Sequence, residues 1–251
     1  MKFKAIIPAR YASTRFPGKP LAELGRKSVV QRVYEQVIKV FDDVYVATDD
    51  ERIEHAVKSF GGKVVMTSST HQSGTERCYE ACVKTGGEVD TVVVNVQGDE
   101  PFVQPSQLEE LAGCFCSVST QIATLATPFP ANSGFDGLAN VNSPKIVFDK
   151  DRYALYFSRS VIPFQRNVDK TVWAENHTYY KHVGLYAYRF DVLKEIVCLP
   201  LSPLERAESL EQLRWLENGY KIKVGITSVE TIGIDTPEDL ELAERFISKF
   251  T

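Results

Sequence analysis

The sequence predicts an α/β fold with a mostly parallel central sheet and helices on both faces, forming a single domain over residues 1–251. Short apolar runs rich in β-branched residues recur in the first half, at 3–8, 43–48, 63–67 and 90–97. Segments with apolar residues at helical spacing separate these runs. Because the strands of a parallel sheet are buried on both faces and are joined by helices, this alternation is typical of such a sheet.

Capping residues mark the start of each intervening helix. Ser, Thr, Asp and Asn before a helix accept hydrogen bonds from amides of its first turn. Helices are therefore expected at 29–40, 51–60 and 74–84, after Ser28, Asp50 and Ser73. The pair Ser73 and Glu76 has the spacing of a capping box.

The second half changes character and predicts a smaller β-rich region. Apolar runs at 145–149 and 152–158 flank a short polar turn, which favours an antiparallel hairpin. Residues 164–178 are polar and are expected to be irregular. The remaining expected elements are a strand at 182–188, helices at 189–198 and 204–218, a strand at 221–227 and a final helix after Thr236.

Composition excludes several classes of protein. The 251 residues are 43% hydrophobic and 25% charged, as in ordinary globular domains, and the net charge of −4 argues against nucleic-acid binding. No uninterrupted apolar run approaches the roughly 18 residues of a membrane-spanning helix. The five cysteines are odd in number and form no CxxC pair, so we expect reduced thiols and neither a disulfide framework nor a zinc site.

A basic loop, "IPARYASTRFPGKPL" at 6–20, follows the first strand. It carries Arg10, Arg15 and Lys19, together with the hydroxyls of Ser13 and Thr14. Ligands of parallel sheets bind at the carboxyl ends of strands, and clustered cations with backbone amides suit a triphosphate. The loop has neither the GxGxxG fingerprint nor a P-loop, because Pro20 follows Gly18-Lys19. A solvated basic loop is the alternative.

Asp99 follows the strand at 90–97 in the same way and is a candidate Mg²⁺ ligand. Gly98 before it permits close backbone approach, and Mg²⁺ binds one or two carboxylates together with phosphate oxygens. The alternative is an Asx turn before Pro101, while Glu100 is expected to be structural. Asp235, before Thr236, is the expected partner; its alternative role is to favour the dipole of the following helix.

Seven stretches in order resemble the 3-deoxy-manno-octulosonate cytidylyltransferase (CMP-Kdo synthetase) family, across nearly the whole chain. They are the basic loop, "HQSGTERCYEAC" (71–82), "VVNVQGDEPF" (93–102), "YALYFSRSVIP" (153–163), "YKHVGLYAYR" (180–189), "SPLERAESLEQLRWLENG" (202–219) and "IDTPEDLELA" (234–243). The related CMP-sialic acid synthetases share the style of the first loop but are not expected to carry "VQGDEP" in this form.

The resemblance implies a nucleotide-diphospho-sugar transferase-like fold and an enzyme that activates 3-deoxy-D-manno-octulosonate (Kdo) with CTP. The products would be CMP-Kdo and pyrophosphate, for lipopolysaccharide biosynthesis. It further implies Mg²⁺ as cofactor and a cytoplasmic homodimer. On this basis we expect a mainly nucleotide-binding half at 1–130, a sugar-binding and dimerisation region at 131–225, and a closing segment at 226–251 with the second metal-site aspartate.

The resemblance also implies roles for individual residues. Lys19, Asp99 and Asp235 would be catalytic: Lys19 would neutralise the leaving pyrophosphate, and the two aspartates would hold Mg²⁺. The nucleotide would be bound by Pro8, Ala9, Arg10, Ser13, Lys19, Ser73, Gly74 and Arg77. The sugar acid would be bound by Gln97, Arg159, His182, Tyr186, Glu211 and Gln212, with the head of Arg159 facing a cleft.

Some alternatives stay open at this point. Arg15 is either a phosphate ligand or part of a surface ion pair, and Glu211 is either a sugar ligand or an exposed partner of Arg214. Asp49 and Asp50 form a rival acidic pair, for which capping by Asp50 is an adequate explanation. A glycosyltransferase is a second enzyme class, but its DxD metal motif is absent at 97–99, where Gln-Gly-Asp stands. A nucleotide-sensing module is the non-enzyme alternative.

Overall fold

The computed structural model describes residues 1–13, 15–230 and 233–247, so Thr14 of the basic loop lies outside the described residues. Contacts divide the chain into two compact units. Unit 1 comprises residues 1–109, 187–197 and 230–251, and unit 2 comprises 110–186 and 198–229. The expected single domain, with its three regions, stays a prediction.

The described residues form strands and helices that alternate along most of the chain. The strands are β1 (Lys2–Pro8), β2 (Glu23–Leu24), β3 (Lys27–Ser28), β4 (Val44–Thr48), β5 (Val64–Met66), β6 (Thr91–Asn95), β7 (Ile122–Pro128), β8 (Lys145–Phe148), β9 (Ala154–Ser158), β10 (Tyr180–Arg189) and β11 (Ile222–Ile226). The α-helices are α1 (Val29–Val37), α2 (Glu51–Ser59), α3 (Gly74–Lys84), α4 (Pro105–Gly113), α5 (Gly134–Ala139), α6 (Trp173–Asn176), α7 (Phe190–Ile196), α8 (Pro203–Glu208), α9 (Gln212–Glu217) and α10 (Pro237–Ile247). None of the described helices combines the length and apolar character that crossing a bilayer requires.

Unit 1 contains a parallel sheet in the order β6-β1-β4-β5, which confirms the predicted fold class. Strand β1 is central, and Ile6 is in register with Tyr45 on one side and Asn95 on the other. All five residues of β6 are buried, as expected for a strand covered on both faces. The sheet brings the carboxyl ends of β1 and β6 together, and with them the loops that follow.

The predicted caps are present in the structure. Ser28 Oγ accepts a hydrogen bond from the Gln31 amide at 3.3 Å, Asp50 Oδ1 from the Arg52 amide at 2.9 Å, and Ser73 Oγ from the Glu76 amide at 3.2 Å. The first two helices end at Val37 and Ser59, slightly earlier than the sequence predicted. Element type was therefore predicted better than element length.

Unit 2 has its strands in the order β11-β7-β10, with β11 and β7 parallel. The predicted hairpin is confirmed as the antiparallel pair β8 and β9. Strand β7 lies between the other two strands but was not predicted. The segment 164–178, expected to be irregular, includes α6, whose Trp173 packs in a buried cluster with Leu138 and Tyr179.

The helix predicted at 204–218 is wrong as a single helix. It is divided into α8 and α9 by Ser209, whose φ of 52° lies in the left-handed region. A non-glycine residue adopts this conformation at a cost, so a helical pattern of side chains alone does not reveal such a break.

Gly98 is required where β6 passes β1. A Cβ added at Gly98 would lie 2.7 Å from the carbonyl oxygen of Pro8, closer than side-chain carbons approach backbone oxygens. The close approach sets the two loops that follow these strands beside each other. The function of Gly98 expected from the sequence, close backbone approach, is confirmed.

We therefore expect Gly98→Ala to lower the free energy of unfolding by about 1–3 kcal/mol, as overpacking of a tight site does. Chemical denaturation monitored by circular dichroism provides the measurement. Gly113→Ala is the matched control, because its φ of −58° suits alanine and an added Cβ has no neighbour within 4 Å. Equal stability of the two variants would contradict the packing argument.

Candidate active site

A pocket in unit 1 opens at the carboxyl ends of β1 and β6 and at the first turn of α3. All the residues predicted to bind nucleotide or metal line it, together with Gln97, which was assigned to the sugar. The lining consists of Pro8, Ala9, Arg10, Ser13, Arg15, Lys19, Pro20, His71, Gln72, Ser73, Gly74, Arg77, Gln97, Gly98, Asp99 and Asp235. The structure thus brings together residues from four separate sequence motifs.

The ammonium of Lys19 lies between two carboxylates in this pocket. Its Nζ donates to Asp99 Oδ2 at 2.6 Å and to Asp235 Oδ1 at 3.1 Å, and Lys19 is only 9% exposed. Arg15, whose role the sequence left open, lies with Nη2 3.1 Å from the same oxygen of Asp235. No backbone amide of the described residues donates to the Asp99 carboxylate, which removes the Asx-turn alternative there.

Backbone contacts hold the two aspartates side by side. The carbonyl oxygen of Asp99 accepts a hydrogen bond from the Ile234 amide at 2.9 Å, one residue before Asp235. Ile234 is fully buried, so this segment is anchored in the core. The carboxylate of Asp239 then accepts from the amides of Asp235 and Thr236 at 3.0 and 2.9 Å, capping α10.

Lys19 reaches this position because the basic loop closes on itself. The carbonyl oxygen of Tyr11 accepts from the amides of Ser13 and Gly18 at 3.0 and 2.9 Å. Gly18 has a φ of 75°, which glycine adopts without strain, and the single helical turn Lys19–Leu21 begins directly after it. These hydrogen bonds fix the backbone around Lys19, whereas Arg10 and Arg15 are exposed, so the solvated basic loop stays an alternative for these two cations.

The two aspartates fit the requirements of Mg²⁺ in a nucleotide site. Mg²⁺ binds through one or two carboxylates and completes its shell with substrate phosphates and water. Among the described residues, no group of three or more His, Cys, Asp or Glu side chains could hold a metal ion. The described residues thus offer the carboxylates of Asp99 and Asp235, and a bound nucleotide would have to supply the remaining ligands.

Arg77 is held in a fixed orientation at the other end of the pocket. It is 4% exposed, its Nη1 donates to Thr67 Oγ1 at 2.6 Å, and its Nη2 lies 3.3 Å from Asp49 Oδ2. Asp50 both caps α2 and pairs with Arg52 at 2.6 Å. The rival acidic pair therefore orients Arg77 and caps a helix.

His71 lines the same pocket but was not singled out from the sequence. Its Nε2 contacts the Glu80 carboxylate, and its Nδ1 lies 3.6 Å from Glu76 Oε2. Burial alone would raise the pKa of Glu80, but hydrogen bonds from Lys84, the Ser68 amide and His71 outweigh it and lower the pKa to about 2. The only signal in the sequence that pointed to His71 was its position in "HQSGTER", two residues before the capping Ser73.

The predicted sugar-binding residues other than Gln97 belong to unit 2. Arg159 follows β9 and donates to three backbone carbonyls: from Nε to Glu208 at 2.7 Å, from Nη1 to Val141 at 2.8 Å, and from Nη2 to Ser209 at 3.3 Å. It also lines a cavity that includes Phe164 and Trp173. Three of its five N–H donors are thus engaged, in addition to the contact with a cleft that the sequence predicted.

His182 and Tyr186 lie against each other, as their spacing on one strand predicted. Their ring centroids are 5.4 Å apart. Burial lowers the pKa of His182 to about 3, and its Nε2 lies 3.0 Å from Thr124 Oγ1. Burial and the nearby charge of Glu211 raise the pKa of Tyr186 well above its usual value. Thr124 was missed because strand β7 was not predicted.

Gln212 is buried in α9 with an amide donor that the described residues do not satisfy. It is 4% exposed, and its Nε2 has no hydrogen-bond partner among them. Glu211 directly precedes it at the N-terminus of the helix. Arg214, the possible partner of Glu211, forms a two-pronged ion pair with Glu205 at 2.7 and 2.6 Å.

Comparison with known proteins shows that the sequence of this chain is similar to a family model and to proteins of known name. The sequence model described as "Cytidylyltransferase" matches residues 4–222. The 3-deoxy-manno-octulosonate cytidylyltransferases of Bacteroides thetaiotaomicron and Phocaeicola vulgatus are 71% and 69% identical to this chain; the matches cover 98% and 99% of this chain and 98% of each relative.

A solved structure agrees in fold. It is that of CMP:2-keto-3-deoxy-manno-octonic acid synthetase complexed with CTP, which is 41% identical, superposes with a TM-score of 0.91 and is matched over the full length of both chains. Sequence and structure are thus similar over the whole chain. The chain belongs to the 3-deoxy-manno-octulosonate cytidylyltransferase family of the cytidylyltransferases.

Proposed function

We propose that this protein transfers the cytidylyl group of CTP to Kdo, giving CMP-Kdo and pyrophosphate for lipopolysaccharide biosynthesis. The anomeric hydroxyl oxygen of Kdo forms a bond to the α-phosphorus as the bond to pyrophosphate breaks, and the hydroxyl proton is released to solvent. The observation that carries the proposal is the convergence of Asp99 and Asp235 on Lys19, in a pocket that also holds Arg10 and Arg15. The full-length relatives named for this reaction support the choice of substrates.

The basic loop binds the triphosphate in this proposal. Arg10, Arg15 and Lys19 supply positive charge, and Ser13 contributes its hydroxyl to the same turn. Asp99 and Asp235 would hold Mg²⁺, which supplies neutralisation of phosphate charge when bound. Lys19 stabilises the charge that develops on the leaving pyrophosphate, because a fixed ammonium in a water-poor site needs no reorganisation.

The cytosine is bound at the first turn of α3. The residues Pro8, Ala9, Ser73 and Gly74 form this side of the pocket. Arg77 contributes donors to the base edge. Thr67 and Asp49 hold its guanidinium in place, so it recognises the base from a fixed position.

Within unit 2, the sugar acid is bound in this proposal by Arg159, His182, Tyr186, Glu211 and Gln212. Kdo has one carboxylate and many hydroxyls, and these residues offer a cation, a carboxylate and several neutral polar groups. The unsatisfied amide donor of buried Gln212 supports this assignment, because such a donor is costly without a partner.

We propose further that the protein acts in the cytoplasm as a homodimer. Three large apolar side chains of unit 2, Phe164, Leu155 and Val141, are 71%, 62% and 58% exposed. Apolar side chains that are exposed together in one patch are suited to an interface, and Phe164 and Val141 line the same cavity. Light scattering during size-exclusion chromatography measures the mass that decides this assignment.

A pyrophosphate-release assay tests the reaction. The purified protein is supplied with Mg²⁺ and with CTP, UTP or ATP, in the presence of Kdo or sialic acid. Release from CTP that depends on added Kdo is expected. Release without any sugar acid, or no release with any pair, would overturn the proposal and favour a hydrolase or a nucleotide-sensing module respectively.

Asp99→Asn should leave the fold intact and reduce turnover about a hundredfold or more, because a carboxylate that holds Mg²⁺ loses its charge. Initial rates of pyrophosphate release at saturating Mg²⁺ measure the effect. The matched control is Asp90→Asn, an exposed carboxylate at the opposite end of the same strand, which should keep full activity. Near-normal turnover of the Asp99 variant would remove it from the metal site.

Arg159→Ala should raise the KM for Kdo about ten- to a hundredfold, the effect of losing a charge-assisted hydrogen bond to the substrate carboxylate. The KM for CTP should scarcely change. Because three backbone carbonyls lose their hydrogen-bond donor, the variant should also unfold at a lower concentration of denaturant. Loss of stability with an unchanged KM for Kdo would show that Arg159 is structural.

The free energy of unfolding should depend on pH because His182 takes up a proton on unfolding. Its pKa is about 3 in the folded protein and about 6.5 when unfolded, so the unfolded state binds more protons below pH 6.5 and stability falls as pH is lowered. Between pH 7 and pH 5 the wild type should lose about 2 kcal/mol more than His182→Gln. Urea denaturation of both proteins at both pH values measures this difference. If the wild type and His182→Gln lose the same free energy of unfolding between pH 7 and pH 5, the lowered pKa of His182 is contradicted.

A further inference from the structure

Thr124 in the middle of β7 makes an unusual set of polar contacts. The residue is fully buried. Its hydroxyl oxygen lies 2.9 Å from the carbonyl oxygen of Leu185, 3.2 Å from that of Val183 and 3.0 Å from Nε2 of His182. One hydroxyl thus faces these three polar atoms of β10, and the hydroxyl of Tyr186, which can both donate and accept, interacts with it as well.

The chemistry of these atoms decides where the protons are. Both carbonyl oxygens can only accept, so the single hydroxyl proton of Thr124 must be directed at them. The hydroxyl oxygen then has only lone pairs to offer to His182. Nε2 must therefore be the donor, and it carries the imidazole proton.

The opposite arrangement is disfavoured. If Nε2 accepted the hydroxyl proton, the oxygen of Thr124 would face two carbonyl oxygens at 2.9 and 3.2 Å with no proton between them. Burial keeps the ring neutral by lowering its pKa to about 3, so the doubly protonated form does not contribute near neutral pH. A neutral ring with the proton on Nε2 has a free lone pair on Nδ1.

The orientation of the ring is fixed as well. Phe157 packs edge-on at 5.1 Å between centroids, and Tyr186 lies at 5.4 Å. No described residue hydrogen-bonds to Nδ1. That nitrogen is thus an oriented acceptor that the described part of the chain leaves without a donor.

We propose that Thr124 is a positioning residue that selects the Nε2-protonated tautomer of His182 and so leaves Nδ1 to accept a hydrogen bond from a hydroxyl of the sugar acid. The inference rests on the proposed function, in which His182 binds Kdo. A hydroxyl supplies the donor that Nδ1 needs, whereas a ligand group that can only accept would be rejected at this point.

The first test reads the tautomer directly. In ¹⁵N-labelled protein, the protonated and unprotonated nitrogens of a neutral imidazole have well-separated chemical shifts. The wild type should show a proton on Nε2 and none on Nδ1 of His182. Thr124→Val, which keeps the shape but removes the hydroxyl, should give a mixture of tautomers, and Thr124→Ser should restore the wild-type pattern.

The second test uses steady-state kinetics of pyrophosphate release. Thr124→Val should raise the KM for Kdo about tenfold, the usual effect of a lost hydrogen bond, and leave the KM for CTP unchanged. Thr124→Ser should recover most of the loss. This rescue by a smaller side chain distinguishes a hydroxyl effect from a packing effect.

The outcomes separate the two proposals. A proton on Nδ1 in the wild type overturns the inference, even if Thr124→Val does not fold. A tautomer and a KM for Kdo that are both unchanged in Thr124→Val also overturn it. If the tautomer responds as expected but Kdo supports no pyrophosphate release by the wild type, the proposed function fails while the role of Thr124 in selecting the tautomer stands.

Discussion

The buried ammonium of Lys19 is the constraint on which unit 1 depends. A charge removed from water must be compensated, and here two carboxylates from distant parts of the sequence do so. This requirement explains the local devices around it: the left-handed Gly18 before the lysine, the missing side chain at Gly98, and the backbone bond from Ile234 to Asp99. Each of these features helps to bring Lys19, Asp99 and Asp235 together.

The buried lysine of unit 2, Lys145, is compensated in a different way. Lys145 is fully buried and donates to the carbonyl oxygens of Asn140 and Arg159 at 3.0 and 2.7 Å, and burial lowers its pKa. Backbone carbonyls cannot be exchanged for a ligand without unfolding the segment. The partners of Lys19 are side-chain anions, and a phosphate is an anion as well, so Lys19 can change partners and remain compensated. Lys19 and Lys145 are thus suited to different tasks.

Local patterns in the sequence revealed most of unit 1 and its pocket. Strand ends after buried runs, with a glycine or a capping serine nearby, pointed to Lys19, Asp99 and Arg77, because such positions follow from short-range rules. The partners of Arg77 could not be predicted in this way, since its contact with Asp49 depends on how α3 packs beside the end of β4. Long-range contacts of this kind are set by tertiary packing.

The sequence was less informative about unit 2 for a physical reason. Strand β7 has small and polar residues among its apolar ones, so neither alternation nor a continuous apolar run marked it, and Thr124 was overlooked with it. The division between α8 and α9 was hidden because one residue in an unusual backbone conformation leaves the spacing of apolar side chains nearly unchanged.

That division at Ser209 also determines what any redesign of this segment could keep. In an uninterrupted helix the carbonyls of Glu208 and Ser209 would each be taken by an amide four residues ahead. The interruption releases both, and the Arg159 guanidinium occupies them. Straightening the helix with strong helix formers would therefore raise its intrinsic helicity and, at the same time, deprive the arginine of two of its three carbonyl acceptors.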